Sequence, residues 1–221
     1  MIKICGLNDS GALEAALLAG ADMVGFVHYP RSPRHVPFER RASLSAQARG
    51  RALRVLLVVD PSDAELDVAA ETLEPDLVQL HGRETPEQVA AIRARLGRPV
   101  MKAVGVGAEA DLAALRAHAE VADRLLVDAK PPEAPGALPG GNGVAFDWRL
   151  VRGLSLGRPL MLSGGLDPRN VAAAVAATGI RAVDVSSGVE RRPGEKDPDR
   201  IIAFVHAARA ALAAPSGMPR P

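Results

Sequence analysis

Short runs rich in Val, Ile and Leu recur along this chain, each followed by a longer stretch with helical spacing, and that alternation leaves few folds open. The runs lie at 2–5, 23–27, 53–59, 77–80, 100–104, 124–128, 159–163 and 182–185. Most are almost continuously apolar, as strands buried on both faces are, so the pattern predicts a parallel sheet covered by helices. Helices are expected at 10–18, 62–72, 86–96, 109–118, 168–177 and 198–212, with shorter or more polar ones at 38–50 and 146–153. Several begin with capping chemistry: Ser62 has Glu65 three residues on, Thr85 is followed by Pro86 and Gln88, and Asp167 precedes Pro168.

Eight such units in 221 residues leave roughly 28 residues each, a lean version of the (β/α)₈ barrel, whose usual length is about 250. The rival, an open doubly wound sheet, would ordinarily carry G-x-G-x-x-G after an early strand, and none follows residues 2–5. The expected architecture is therefore α/β, a single-domain TIM barrel over residues 1–212 with a frayed tail at 213–221. Segment 130–144 holds Pro131, Pro132, Pro135, Pro139 and four glycines without apolar periodicity, and reads as a long loop after the sixth strand.

Composition narrows the function. The chain has 27 Lys and Arg against 26 Asp and Glu, a net charge of +1, which gives no general electrostatic reason to bind nucleic acid or an anionic membrane. Its one cysteine, Cys5, excludes an internal disulfide and a multi-cysteine metal site, and fits a reducing compartment. The first residues lack the form of a secretory signal, and no stretch of about 18 apolar residues follows, so a cytoplasmic location is expected.

In a (β/α)₈ barrel the chemistry sits at the carboxyl ends of the strands. Those positions hold Cys5-Gly6, His28 followed by Ser32-Pro33-Arg34, His81-Gly82, Lys102, Asp128, Gly164-Gly165 and Asp184 followed by Ser186-Ser187-Gly188. Each has a plainer reading. Cys5 alone could be a small buried hydrophobe, Asp128 a turn cap, Arg34 a solvated charge beside Arg31, Arg40 and Arg41, His81 a loop tether, and Lys102 a core-facing chain. The late glycines are more specific, because the loops after strands seven and eight commonly hold a phosphate in this fold. Backbone N–H groups approach an anion most easily where side chains are absent.

Taken in order, KICG at 3–6, GFVHYPRSPRHV at 25–36, VQLHG at 78–82, LLVDAK at 125–130, GGNG with FDW at 140–148, LSGGLDPRNV at 162–171 and DVSSGVE with PGEKD at 184–197 resemble the phosphoribosylanthranilate isomerase family. The matches span nearly the whole chain. The resemblance implies a TIM barrel of tryptophan biosynthesis that uses no cofactor or metal and takes one small phosphorylated substrate, isomerised by an Amadori rearrangement. It implies Cys5 as general base and Asp128 as general acid. It further implies Arg34 facing the anthranilate carboxylate, His81 and Asp184 in contact with substrate, and Gly164, Gly165, Ser187 and Gly188 around the phosphate, with 140–143 as a mobile cover.

Both reacting groups start in the wrong state at neutral pH. A free cysteine is only a few per cent thiolate and a free aspartate almost wholly ionised; raising the latter to about 7 needs roughly 4 kcal/mol. Burial and the substrate carboxylate would act on Asp128, and Lys3, on the same strand face as Cys5, would lower the thiol pKa. Three departures bear on the pocket: His28 stands where the family usually has an aromatic, Asn142 where a small hydroxyl residue is common, and the loop after Asp128 is unusually rich in proline. Two alternatives stay open at this point. One is a metal-dependent sugar-phosphate epimerase using His28, His81, Asp128 and Asp184 as ligands. The other is a barrel that only binds a phosphorylated metabolite.

Overall fold

The structure, a computed structural model, describes residues 1–130, 138–141, 143 and 145–214. Asn142, three of the loop prolines (Pro131, Pro132 and Pro135) and residues 215–221 of the expected tail lie outside them. Eight parallel strands close into a barrel in chain order: β1 (Ile2–Cys5), β2 (Met23–His28), β3 (Leu53–Val58), β4 (Leu77–Leu80), β5 (Val100–Val106), β6 (Arg124–Ala129), β7 (Leu160–Leu162) and β8 (Val183–Val185). The seam is parallel pairing of β1 with β8, where Lys3 is opposite Asp184.

Side chains alternate between the two faces of each strand, and this separates two cores. Outward-facing Ile2, Ile4, Val24, Phe26, Leu56, Val78 and Leu125 pack under the helices. Inward-facing Met23, Val55, Leu77, Met101, Leu126 and Met161 fill the barrel towards its amino end. Above them, Cys5, Val27 and Leu57 form a third small cluster. The continuous apolar runs thus came from burial on both faces. The exceptions to their apolarity are informative: Lys3 and Gln79 are fully buried, and Asp184 nearly so.

The helices are α1 (Ser10–Leu18), α2 (Phe38–Ala48), α3 (Asp63–Leu73), α4 (Pro86–Leu96), α5 (Leu112–Ala119), α6 (Val171–Thr178) and α7 (Pro198–Ala213). Capping boxes start α3, from Ser62 and Glu65, and α4, from Thr85 and Gln88. α6 begins three residues later than the periodicity suggests, because Asp167 Oδ1 accepts from the backbone N–H groups of Arg169 and Asn170 and holds a turn there. The helix expected over 146–153 is only a 3-10 turn, Trp148–Val151, begun by Asp147 and followed by Gly153. α7 extends to Ala213, one residue into the segment expected to fray. Beyond β8 the chain forms a hairpin the sequence reading lacked, β9 (Glu190–Arg192) and β10 (Glu195–Lys196). Among the described residues no helix is long and apolar enough to cross a membrane.

Candidate active site

A pocket of about 790 Å³, open to solvent, lies at the carboxyl ends of the strands. Cys5, Arg34, His81, Asp128, Asp184, Gly164, Gly165 and Ser187 all line it, so eight of the nine residues that the resemblance assigned to the site meet there. Gly188 lies behind the lining, with its backbone packed against the Leu166 carbonyl, and so joins the loop after β8 to the loop after β7.

Cys5 ends β1 and is 3% exposed. Burial pushes its thiol pKa up; the Lys3 ammonium pulls it down, and Asp184 opposes that pull. Burial wins, so the resting thiol keeps its proton more firmly than a free cysteine does. The expected effect of Lys3 is present but outweighed. Lys3 Nζ donates to Asp184 Oδ1 at 2.8 Å, and Ser163 Oγ donates to Asp184 Oδ2 at 3.2 Å. A carboxylate offers about four acceptor sites, which leaves Asp184 capacity for a ligand hydroxyl.

Asp128 is the penultimate residue of β6, opposite Gly105 of β5. Its Oδ1 accepts from the Ala129 N–H at 2.8 Å, and its Oδ2 lies 3.2 Å from His81 Nε2. Behind His81, Gln79 Nε2 is 2.8 Å from Nδ1. Gly140 lies over this pair so closely that a Cβ there would be 2.4 Å from His81 Nε2 and 2.9 Å from Asp128 Oδ2, closer than any real side chain could sit.

Arg34 is already partly engaged. Its Nε and Nη2 each donate to the Glu190 carboxylate at 2.8 Å, so one bidentate edge of the guanidinium is used within the protein. Nη2 also donates to the Gly141 carbonyl at 3.2 Å, and among the described residues Nη1 has no partner. Glu190 in turn accepts from Lys196 at 2.7 Å; Arg34 and Lys196 together hold its carboxyl below the ordinary range although burial acts the other way. Gly6, at φ +76°, makes room for this arrangement, since a Cβ there would be 2.6 Å from Arg34 Cδ.

Two other residues near strand ends lie outside the pocket. Lys102 does not reach the pocket: its Nζ donates to the Gly82 carbonyl and to Glu84, both at 2.7 Å. His28 does not line the pocket either, although Val27 and Tyr29 on each side of it do. Its Nδ1 accepts from Arg41 Nη2 at 2.6 Å, outside the site. The departure at His28 therefore leaves the pocket shape alone, and the ligand set of the epimerase alternative is not brought together. Among the described residues no three His, Cys, Asp or Glu side chains converge in a metal-binding group.

Burial, with Arg41 and His35 nearby, lowers the His28 pKa to about 4. The unfolded chain, with an ordinary value of about 6.5, takes up the proton first as pH falls. Stability therefore declines as pH falls from about 6.5 towards 4. In His28→Gln the fall in Tm over that interval, measured by calorimetry, is expected to be smaller, the remainder coming partly from His35 and His118, which burial also lowers.

The sequence reading missed Glu190, Lys196, Ser163 and Gln79 as parts of the site. Glu190, Lys196 and Ser163 stand inside the DVSSGVE, PGEKD and LSGGLDPRNV motifs, and Gln79 is a lone polar residue in an apolar strand, so a signal existed for each.

Compared with known proteins, residues 2–207 match the family described as N-(5'phosphoribosyl)anthranilate (PRA) isomerase. The N-(5'-phosphoribosyl)anthranilate isomerase of Azorhizobium caulinodans is 61% identical over 214 residues, covering 96% of this chain and 93% of that one. The crystal structure of phosphoribosyl anthranilate isomerase from Thermotoga maritima superposes with a TM-score of 0.84 at 37% identity, covering 95% of this chain and 98% of that one. A phosphoribosyl anthranilate isomerase crystallised with reduced 1-(o-carboxyphenylamino)-1-deoxyribulose 5-phosphate gives a TM-score of 0.80 at 34% identity, with the same coverage of 95% and 98%.

Proposed function

The chain belongs to the N-(5'-phosphoribosyl)anthranilate isomerase family, enzymes of tryptophan biosynthesis, and from that premise we propose which of its residues carry the reaction: Cys5 as general base and Asp128 as general acid. The supporting observation is that both groups, Arg34 and the two glycine-bearing loops line one pocket.

The chemistry assigns the roles. The Asp128 carboxyl gives its proton to the ribose ring oxygen as the C1–O bond breaks, and the anilino nitrogen lone pair forms the C1=N bond of an iminium. The iminium acidifies the hydrogen on C2. Cys5, as thiolate, takes that proton, the electron pair moves to form C1=C2, and the resulting enolamine tautomerises to the aminoketone. The Lys3 ammonium stabilises the thiolate when it forms. Arg34, fixed by Glu190, presents Nη1 to the anthranilate carboxylate. His81 and Asp184 contact the sugar portion, and the phosphate lies against Gly164, Gly165 and Ser187, with Gly188 behind them, where backbone N–H groups suit an anion. The lone reduced cysteine fits action in the cytoplasm.

Loss of anthranilate fluorescence on mixing purified protein with phosphoribosylanthranilate measures turnover. Variants of Cys5 and Asp128 are expected to lose turnover while still binding the reduced product analogue, and full turnover in both would remove the assigned roles. Arg34→Lys is expected to raise KM by about 10- to 100-fold with a smaller effect on kcat, matching the roughly 1.5–3 kcal/mol of a lost charge-assisted bond. Steady-state kinetics separates the two.

A further inference from the structure

Gln79 is fully buried inside the barrel, and its amide is satisfied on one side only. Nε2 is 2.8 Å from His81 Nδ1, while Oε1 has no hydrogen-bond partner among the described residues. A buried amide oxygen without a partner is costly, and a native structure usually has a reason for one. The reason here lies in what the amide touches. With Nε2 donating to Nδ1, the neutral imidazole must carry its proton on Nε2, where it points at Asp128 Oδ2 3.2 Å away. In that arrangement Asp128 Oδ2 is the acceptor and holds no proton of its own.

Half a turn of the amide exchanges its two ends. Oε1 then faces Nδ1 and accepts an N–H from it, and no second hydrogen bond on the far side resists the turn. Once His81 has taken a proton on Nδ1 from a hydronium ion of the solvent in the open pocket, leaving water behind, this orientation allows the proton on Nε2 to pass to Asp128 Oδ2. The imidazole becomes neutral again, now protonated on Nδ1, and the carboxyl is loaded. One proton enters, one moves, and no charge is left unpaired.

We propose that Gln79 is a positioning residue whose amide orientation sets the His81 tautomer and so governs the loading of Asp128 through His81. The proposal rests on the reading of Asp128 as general acid. It explains how a carboxyl that must be protonated is supplied where Gly140 packs closely over it. The other titratable or charged side chains lining the pocket are Cys5, Tyr29, Arg34, Lys130 and Asp184; the ring nitrogens of His81 engage only Gln79 and Asp128 among the described residues.

The test compares wild type with Gln79→Met, which has similar length but no hydrogen bonds, and Gln79→Glu, whose carboxylate can only accept. With ¹⁵N-labelled histidine and the full-length protein, the wild-type ring at mildly alkaline pH is expected to show its proton on Nε2. Gln79→Glu is expected to place a proton on Nδ1, and Gln79→Met to give a mixture of the two tautomers. Gln79→Met is expected to lower kcat at least tenfold with KM within twofold of wild type, and Gln79→Glu to restore most of that kcat. An unchanged ring tautomer in Gln79→Met, or a loss confined to KM, overturns the proposal even if Gln79→Glu fails to fold. Asp128→Asn, assayed alongside, keeps the two readings apart. If it stays active, Asp128 is not the acid; if it is inactive while the ring is indifferent to Gln79, only the role of Gln79 falls.

Discussion

Asp128→Asn is expected to lower kcat by about 10³-fold, equivalent to about 4 kcal/mol of transition-state stabilisation, within the range seen when a general acid is lost. The amide matches the carboxylate in shape, so the Ala129 N–H bond to Oδ1 can be kept, and the pocket should still bind the reduced product analogue. What is lost is the proton for the ring oxygen. That places the defect in ring opening, before any hydrogen leaves C2. Substrate deuterated at C2 is therefore expected to react no more slowly than ordinary substrate in this variant. A substantial isotope effect there would locate the damage in the second step and reassign Asp128.

Cys5→Ser is expected to cost between 10² and 10⁴ in kcat although it changes one atom. A hydroxyl cannot act as the thiolate does, because its proton is held far too tightly at any working pH. Burial already pushes the thiol upward, and the Lys3 ammonium recovers only part of that, so a serine oxygen in the same place stays protonated. Stability should change little, since Cys5 sits in a small cluster with Val27 and Leu57 and serine is no larger. Calorimetry with kinetics on one preparation checks both halves. The same burial predicts that iodoacetamide alkylates native Cys5 at least tenfold more slowly than a free thiol at neutral pH. A serine variant that turned over at the wild-type rate would end the assignment of Cys5 as base.

Much of the barrel was legible because strands buried on both faces write long apolar runs, and because capping boxes at Ser62 and Thr85 mark helix starts in the sequence itself. The elements misread were those governed by local turns. Asp167 resembles a helix cap in sequence but holds a turn, and the segment around Trp148 is too short for a helix once Gly153 follows. In the site, strand-end position found Cys5, Asp128 and the late glycines. Pairing was invisible to it. Nothing in the one-dimensional pattern says that Arg34 spends two donors on a residue 156 positions away, or that His28 turns to Arg41 instead of the pocket. Such contacts follow from barrel closure, which brings together residues that no sequence window contains.

The seam between β1 and β8 has a temporal meaning. Lys3 and Asp184 are 181 residues apart, and Arg34 waits for Glu190 from the hairpin beyond β8. Contacts of such separation form late, after the entropy of closing the intervening chain has been overcome. A chain emerging from the ribosome with seven strands complete would carry Cys5, Arg34 and Asp128 and still lack the partners that hold Lys3 and Arg34 in place. In refolding, recovery of turnover should therefore lag behind recovery of helical signal. Catalysis serves as the clock for the final stitch of the barrel.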